Sequence, residues 1–145
     1  MKEKTILLVE DNSDDVALTI RALRKNNLLN EIIVARDGAE ALAMLLGTEE
    51  QPPIRLPELV LLDLNMPKIT GLEVLQRIRA NERTRLLPVV VMTTSDEEKD
   101  RVESYRLGAN SYVAKPVEFA EFSKAVMQLG MYWLVFNIGP YQTVN

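Results

Sequence analysis

Short apolar runs alternate with amphipathic segments along this chain. Thr5-Ile6-Leu7-Leu8-Val9 is continuous and apolar, the pattern of a strand buried on both faces. Asn12-Ser13-Asp14-Asp15 then supplies capping-type residues, and Val16, Ile20 and Leu23 recur at helical spacing. A second strand reads Glu31-Ile32-Ile33-Val34-Ala35. Asp37-Gly38-Ala39-Glu40 opens the next helix through Leu42, Leu45 and Leu46, with Gly47 as its stop. Gln51 to Pro57 holds Pro52, Pro53 and Pro57 and reads as a loop. Leu59-Val60-Leu61-Leu62 is a third buried strand ending at Asp63, and Leu72, Leu75 and Ile78 mark a helix after it. Val89-Val90-Val91-Met92 is a fourth strand, followed by a helix from Asp96 to about Gly108. Tyr112-Val113-Ala114 is a short fifth strand before Lys115-Pro116. A last helix carries Phe122, Val126, Leu129 and Trp133.

Alternation of this kind predicts an α/β fold, a parallel sheet with helices on both faces. In open parallel sheets the functional crevice lies beyond the carboxyl ends of the strands. Here those ends carry Glu10 and Asp11, then Asp63, then Thr93 and Thr94, then Lys115. If the first, third, fourth and fifth strands are neighbours, three carboxylates, a hydroxyl and an ammonium converge. Crowded carboxylates raise one another's pKa unless a cation intervenes, and Mg²⁺ takes one or two carboxylates, waters and a phosphate. An ionised carboxylate beside the metal can attack phosphorus and form an acyl phosphate, with Lys115 and the Thr93 hydroxyl stabilising the transferred group. Taken singly, each residue has a plainer reading. Asp11 is a turn or cap, Thr93 a strand-end threonine, and Lys115 a solvated lysine. The set carries the inference.

Composition narrows this further. The chain has 145 residues, 47% apolar and 26% charged, which suits one soluble domain. The net charge of −4 argues against broad electrostatic binding to nucleic acid. There is no Cys, so no disulfide, thiol chemistry or cysteine-ligated metal, and no His, so no imidazole base or phosphohistidine. No run approaches the ~20 apolar residues of a membrane span, and the amino terminus lacks a secretory signal. The expectation is a cytoplasmic protein that binds neither nucleic acid nor membrane.

At this point the sequence resembles the receiver domains of two-component response regulators. The matching stretches are Ile6 to Asn12, Asp37 to Leu42, Leu61 to Pro67 with Gly71, Pro88 to Ser95, and Gly108 to Pro116, in family order. The resemblance implies a flavodoxin-like, doubly wound five-stranded sheet in the order 2-1-3-4-5, an order taken from the family and not from the pattern. It implies that Asp63 accepts phosphate from a partner histidine kinase. Asp11 would bind Mg²⁺ directly, Glu10 through water, and Asn65 through its backbone carbonyl. Lys115 would pair with phosphorylated Asp63, Thr93 would move toward the phosphoryl oxygens, and Tyr112 would change rotamer with it. Lys115-Pro116 would be cis. Asn65 and Ser95 fall where the family tunes acyl-phosphate hydrolysis. Glu10 departs from the Asp many receivers carry, yet still offers a carboxylate. The chain would not be an enzyme beyond its own phosphoryl transfer and dephosphorylation.

Residues 1–145 read as a single receiver domain without an output domain, and from about residue 128 the chain is unusually apolar. Phe122, Val126, Leu129, Trp133 and Phe136 form one stripe, while Met127, Met131, Leu134 and Val135 lie off it. A helix on a sheet needs one apolar face, so a second suggests an interface. The expectation is a homodimer through Phe122, Met127, Met131, Trp133, Leu134, Val135 and Phe136, against a tail that folds back on its own domain. The run from Phe122 to Val135 and the proline-containing loop also resemble the single-domain regulators of phytochrome-type histidine kinases. That resemblance implies a red-light-sensing kinase as partner.

Three rival readings are weighed on particular residues. A haloacid-dehalogenase-type phosphatase wants a second Asp where Asn65 stands. The alternative that stays open is a phosphate-independent, receiver-like dimeric binding module, against which the intact Asp63, Asp11, Thr93 and Lys115 set counts. A nucleotide or flavin binder lacks a glycine-rich loop after the first strand.

Overall fold

A computed structural model describes residues 4–25, 27 and 31–141. The charged start Met1-Lys2-Glu3 lies outside the described residues. Five strands form one sheet: β1 (Thr5–Val9), β2 (Glu31–Ala35), β3 (Leu59–Leu62), β4 (Val89–Thr93) and β5 (Ser111–Ala114), all parallel, in the order β2-β1-β3-β4-β5. The helices are α1 (Ser13–Lys25), α2 (Gly38–Leu46), α3 (Gly71–Ala80), α4 (Glu98–Arg106) and α5 (Phe119–Gly130). The flavodoxin-like expectation and its strand order hold.

Strand alternation builds two cores. Leu7, Val9, Val60, Leu62, Val89 and Val91 face α2 and α3, where Leu45, Leu75 and Ile78 are buried. Ile6, Leu8, Leu59, Leu61, Val90 and Met92 face α1 and α5 through Val16, Leu23, Phe122 and Val126. Helix starts follow local chemistry. The Asp37 carboxylate accepts from Glu40 N–H at 2.7 Å at the start of α2, and the Thr70 hydroxyl accepts from Glu73 N–H at 3.3 Å at α3. Gly47, at φ +78°, ends α2 as predicted. Among the described residues no helix is long and apolar enough to cross a membrane.

The carboxyl end departs from the predicted stripe. After Gly130 the helix widens into a π-helical segment, Met131–Phe136, and Asn137 N–H reaches back five residues to the Tyr132 carbonyl at 2.6 Å. A wide turn advances each residue by less than the usual 100°. Val126 and Gly130 lie one α-helical turn apart on a buried line, which the wide turn carries on to Leu134, while Phe136 is exposed. Phe122 and Leu134, offered above as interface residues, are instead core residues of the protomer. Trp133 is half-buried against the same core and Met127 is half-buried, which leaves Met131, Val135 and Phe136 as the exposed members.

Candidate functional site

Register brings the acids together. Val9 pairs with Leu62 at the ends of β1 and β3, so Glu10 and Asp63 leave the sheet side by side. The Asp63 amide donates to the Val9 carbonyl at 3.1 Å, and Glu10 N–H donates to Ala35 at 3.0 Å. Oxygens of Glu10, Asp11 and Asp63 lie within 4.8 Å of one another, with Glu10 and Asp63 buried and Asp11 exposed. They border an open cleft of about 410 Å³ shared with Asp15, Asn65, Thr94 and Lys115. Gly71 explains the tight turn behind Asp63: a Cβ there would sit 2.2 Å from the Asp63 carbonyl oxygen.

Lys115 comes from the far edge of the site. Its N–H donates to the Thr93 carbonyl at 2.7 Å and extends the β4–β5 ladder. Its ammonium donates to Glu10 and, at 2.8 Å, to Asp15, and lies 3.7 Å from Asp63 Oδ2. The Lys115–Pro116 peptide is trans, against the cis form the resemblance implied. The ladder bond places the side chain without isomerisation, and trans is the lower isomer before proline by about 0.5–1 kcal/mol.

Burial dominates the electrostatics of Glu10. It pushes the carboxyl up from 4.5 to about 7, with the Asp63 charge adding and the Lys115 hydrogen bond opposing. Burial alone would lower the Lys115 pKa, but the hydrogen bonds to Asp15 and Glu10 together with the charges of Asp63 and Glu10 outweigh it, so the ammonium is held above its ordinary range. A buried acid pushed up beside two further carboxylates is a donor set that a hard dication satisfies.

Thr93 ends β4 fully buried. Its hydroxyl oxygen accepts from Asn65 Nδ2 at 3.4 Å and from Ser95 N–H at 3.3 Å, and the same Asn65 amide reaches Thr94 Oγ1 at 3.3 Å. Tyr112, half-buried on β5, donates its hydroxyl to the Ser95 carbonyl at 2.8 Å, and Ser95 Oγ donates to Asp100 at 2.6 Å. Thus Glu10, Asp11, Asp63, Asn65, Thr93 and Lys115 converge as the sequence predicted, and Tyr112 joins them through the loop after β4.

Sequence reasoning missed three participants. Asp15 was visible only as part of a capping run, though it stands one helical turn after Asp11 and faces the same crevice. Asp100 gave no signal, because its partner is set by the loop path. The Asn65 side chain, placed by the resemblance where hydrolysis is tuned, gives no sign in the sequence of its bonds to Thr93 and Thr94.

The family model for the response regulator receiver domain matches residues 6–127. The chain belongs to that family. Response regulator Rcp1 of Synechocystis sp. is 40% identical over 131 residues, 90% of this chain and 89% of Rcp1. The structure of its Mn²⁺-bound form superposes with a TM-score of 0.89 at 39% identity, covering 94% of this chain and 99% of that one. The phosphorylated cyanobacterial phytochrome response regulator RcpA gives 0.91 at 37% identity over 96% of this chain and 99% of that one. The bacteriophytochrome response regulator AtBRR gives 0.73 at 49% identity, covering 95% of this chain and 100% of AtBRR. This receiver is therefore homologous to regulators of phytochrome systems.

Proposed function

We propose that this receiver is a single-domain response regulator that takes a phosphoryl group onto Asp63 from a phytochrome-type histidine kinase, with Mg²⁺, in the cytoplasm. The observation that carries this reading is the convergence of Asp63 with Glu10, Asp11 and Lys115 at one cleft. Glu10, Asp11, Asp63 and the Asn65 carbonyl would hold the cation, which when bound neutralises charge on the carboxylates and on the transferring group. A carboxylate oxygen of Asp63 attacks phosphorus, the P–N bond to the donor imidazole breaks, and the acyl phosphate forms. The Lys115 ammonium then moves from its carboxylate partners onto the new phosphoryl charge of about −1.5 to −2. The Thr93 hydroxyl leaves its Asn65 and Ser95 contacts to donate to it. Ser95 carries Tyr112 and the start of α4 with it, so the output surface changes at the α4–β5 side. A second copy of the chain covers the exposed apolar residues of the tail. The protein is no enzyme beyond its own phosphoryl transfer. The likeness to the phytochrome response regulator RcpA and the bacteriophytochrome response regulator AtBRR supports the choice of kinase class.

The test is intact mass after incubation with Mg²⁺ and acetyl phosphate, on wild type and Asp63→Asn. One added phosphate on wild type and none on the variant is the expected result. No adduct under any Mg²⁺ condition would leave the phosphate-independent binding module as the reading. A phytochrome-type kinase should then label the wild type faster than an unrelated histidine kinase does; equal rates would remove the phytochrome assignment.

A further inference from the structure

Asp15 is the third residue of α1, the position from which a Glu or Gln side chain turns back to bond the N–H of the capping residue. That arrangement is closed here. Asn12 caps the helix, accepting from Asp14 N–H at 2.9 Å and Asp15 N–H at 3.1 Å, but the Asn12 N–H is already given to Glu10 at 3.2 Å. The Asp15 carboxylate is thereby released from its local partner. It bonds the Lys115 ammonium at 2.8 Å instead, across 100 residues of sequence.

The consequence lies in where the ammonium stands. Lys115 has three carboxylates to choose from and sits with Glu10 and Asp15, 3.7 Å from Asp63. Its side chain is only 7% exposed, so water does little to screen the competition. A lysine settled on Asp63 would occupy the space and the charge that a cation and an incoming phosphoryl group need.

We propose that Asp15 is a positioning residue acting through Lys115: it holds the ammonium on the α1 side of the cleft and so keeps Asp63 open. This rests on the reading of Asp63 as the acceptor beside a divalent cation. Asp15 would act here without ligating the cation or bonding the phosphoryl group.

The experiment is a double-mutant cycle read by Mn²⁺ affinity on the full chain, using the signal of free Mn²⁺. Asp15→Asn keeps the side-chain size and leaves the Asp15 carbonyl, which accepts from the Thr19 hydroxyl at 2.8 Å, in place. Without the Asp15 charge the ammonium moves onto Glu10 and Asp63, and Mn²⁺ should bind about tenfold more weakly. In a Lys115→Met background the same change should cost less than about twofold, since there is no ammonium to misplace. Asp15→Glu, which restores the charge within reach of Lys115, should recover most of the loss. Equal losses in both backgrounds would make Asp15 a plain charge or a ligand and overturn the proposal. So would unchanged affinity in Asp15→Asn. A wild type that binds no Mn²⁺ would fail the reading of the site itself, an outcome distinct from a wild type that binds while the variant matches it.

Discussion

Glu10 is the residue whose chemistry differs most from its free form. Its carboxyl is pushed up to about 7, chiefly by burial. Cation binding requires the carboxylate, so binding releases a proton and affinity rises with pH. With half-titration near 7, Mn²⁺ affinity should fall about tenfold from pH 8 to pH 6. Titrations at pH 6, 7 and 8 check this, and a flat profile would show that Glu10 does not take part. Without metal the linkage has the opposite sign. The folded state holds the proton more tightly than the unfolded chain, so the stability Glu10 contributes is full below about pH 4.5 and lost as pH rises through 7. Most of this site was legible as residue types at strand ends, because β1, β3, β4 and β5 deliver them there whatever the side-chain details. Asp15 was not, because its role depends on a single N–H already being taken. The proline isomer was not legible either, being inherited from the resemblance and not dictated by any residue here.

Strands are legible to within a residue, because apolar runs of four or five bounded by Asp, Asn, Gly and Pro leave little freedom of assignment, whereas helix ends are less so: α4 runs from Glu98 to Arg106, inside the expected span of Asp96 to about Gly108. What holds the elements in place was less visible. Arg79, on α3, donates to the carbonyls of Arg85 (2.9 Å), Leu87 (2.7 Å) and Gly108 (2.7 and 3.0 Å), and to Asn110 Oδ1 at 3.1 Å. It ties α3 to the start of β4 and to the turn after α4, where Gly108 stands at φ +98°. In the sequence it is one basic residue in a helix's last turn. Arg79→Ala should cost about 2–3 kcal/mol, since several acceptors lose a charged donor at once. Arg79→Lys should recover less than half, because an ammonium cannot reproduce the fork. Urea midpoints with an unchanged m-value check both. Gly71→Ala should cost about 1–3 kcal/mol or more through the clash with the Asp63 carbonyl, and should lower Mn²⁺ affinity as well by shifting Asp63. A variant that is destabilised yet binds metal normally would show that the strain is absorbed by α3 alone.

For the whole molecule, the sheet spends both faces inside the protomer, and among the apolar side chains left exposed is a group in the tail. Tyr132, Val135, Phe136 and Ile138 are 53%, 53%, 68% and 60% exposed. One such residue is ordinary, but four within seven positions form the group that the proposed second copy would cover. The tail that carries them is anchored. Leu134 is buried, the Lys4 ammonium donates to the Leu134 carbonyl, and Tyr141 donates its hydroxyl to the Arg83 carbonyl at 3.3 Å. Arg83 in turn bonds the carbonyls of Leu45 (2.9 Å) and Ile54 (2.6 Å), fixing the proline-containing loop beneath it. A surface held this way loses little entropy on association. In a two-fold dimer each residue enters the interface twice, so one new acid buries two charges. Phe136→Asp should therefore raise the dimer Kd by about 100-fold or more while leaving the protomer fold intact, because Phe136 supports no core contact. Leu134→Ala should behave differently and destabilise the protomer itself by about 2–5 kcal/mol. Light-scattering mass across micromolar concentrations separates the two, with the melting temperature as the second reading. A wild type that stays monomeric both with and without phosphate would end the dimer proposal. A dimer indifferent to Phe136→Asp would move the contact off the tail, leaving the outer faces of the helices to supply it.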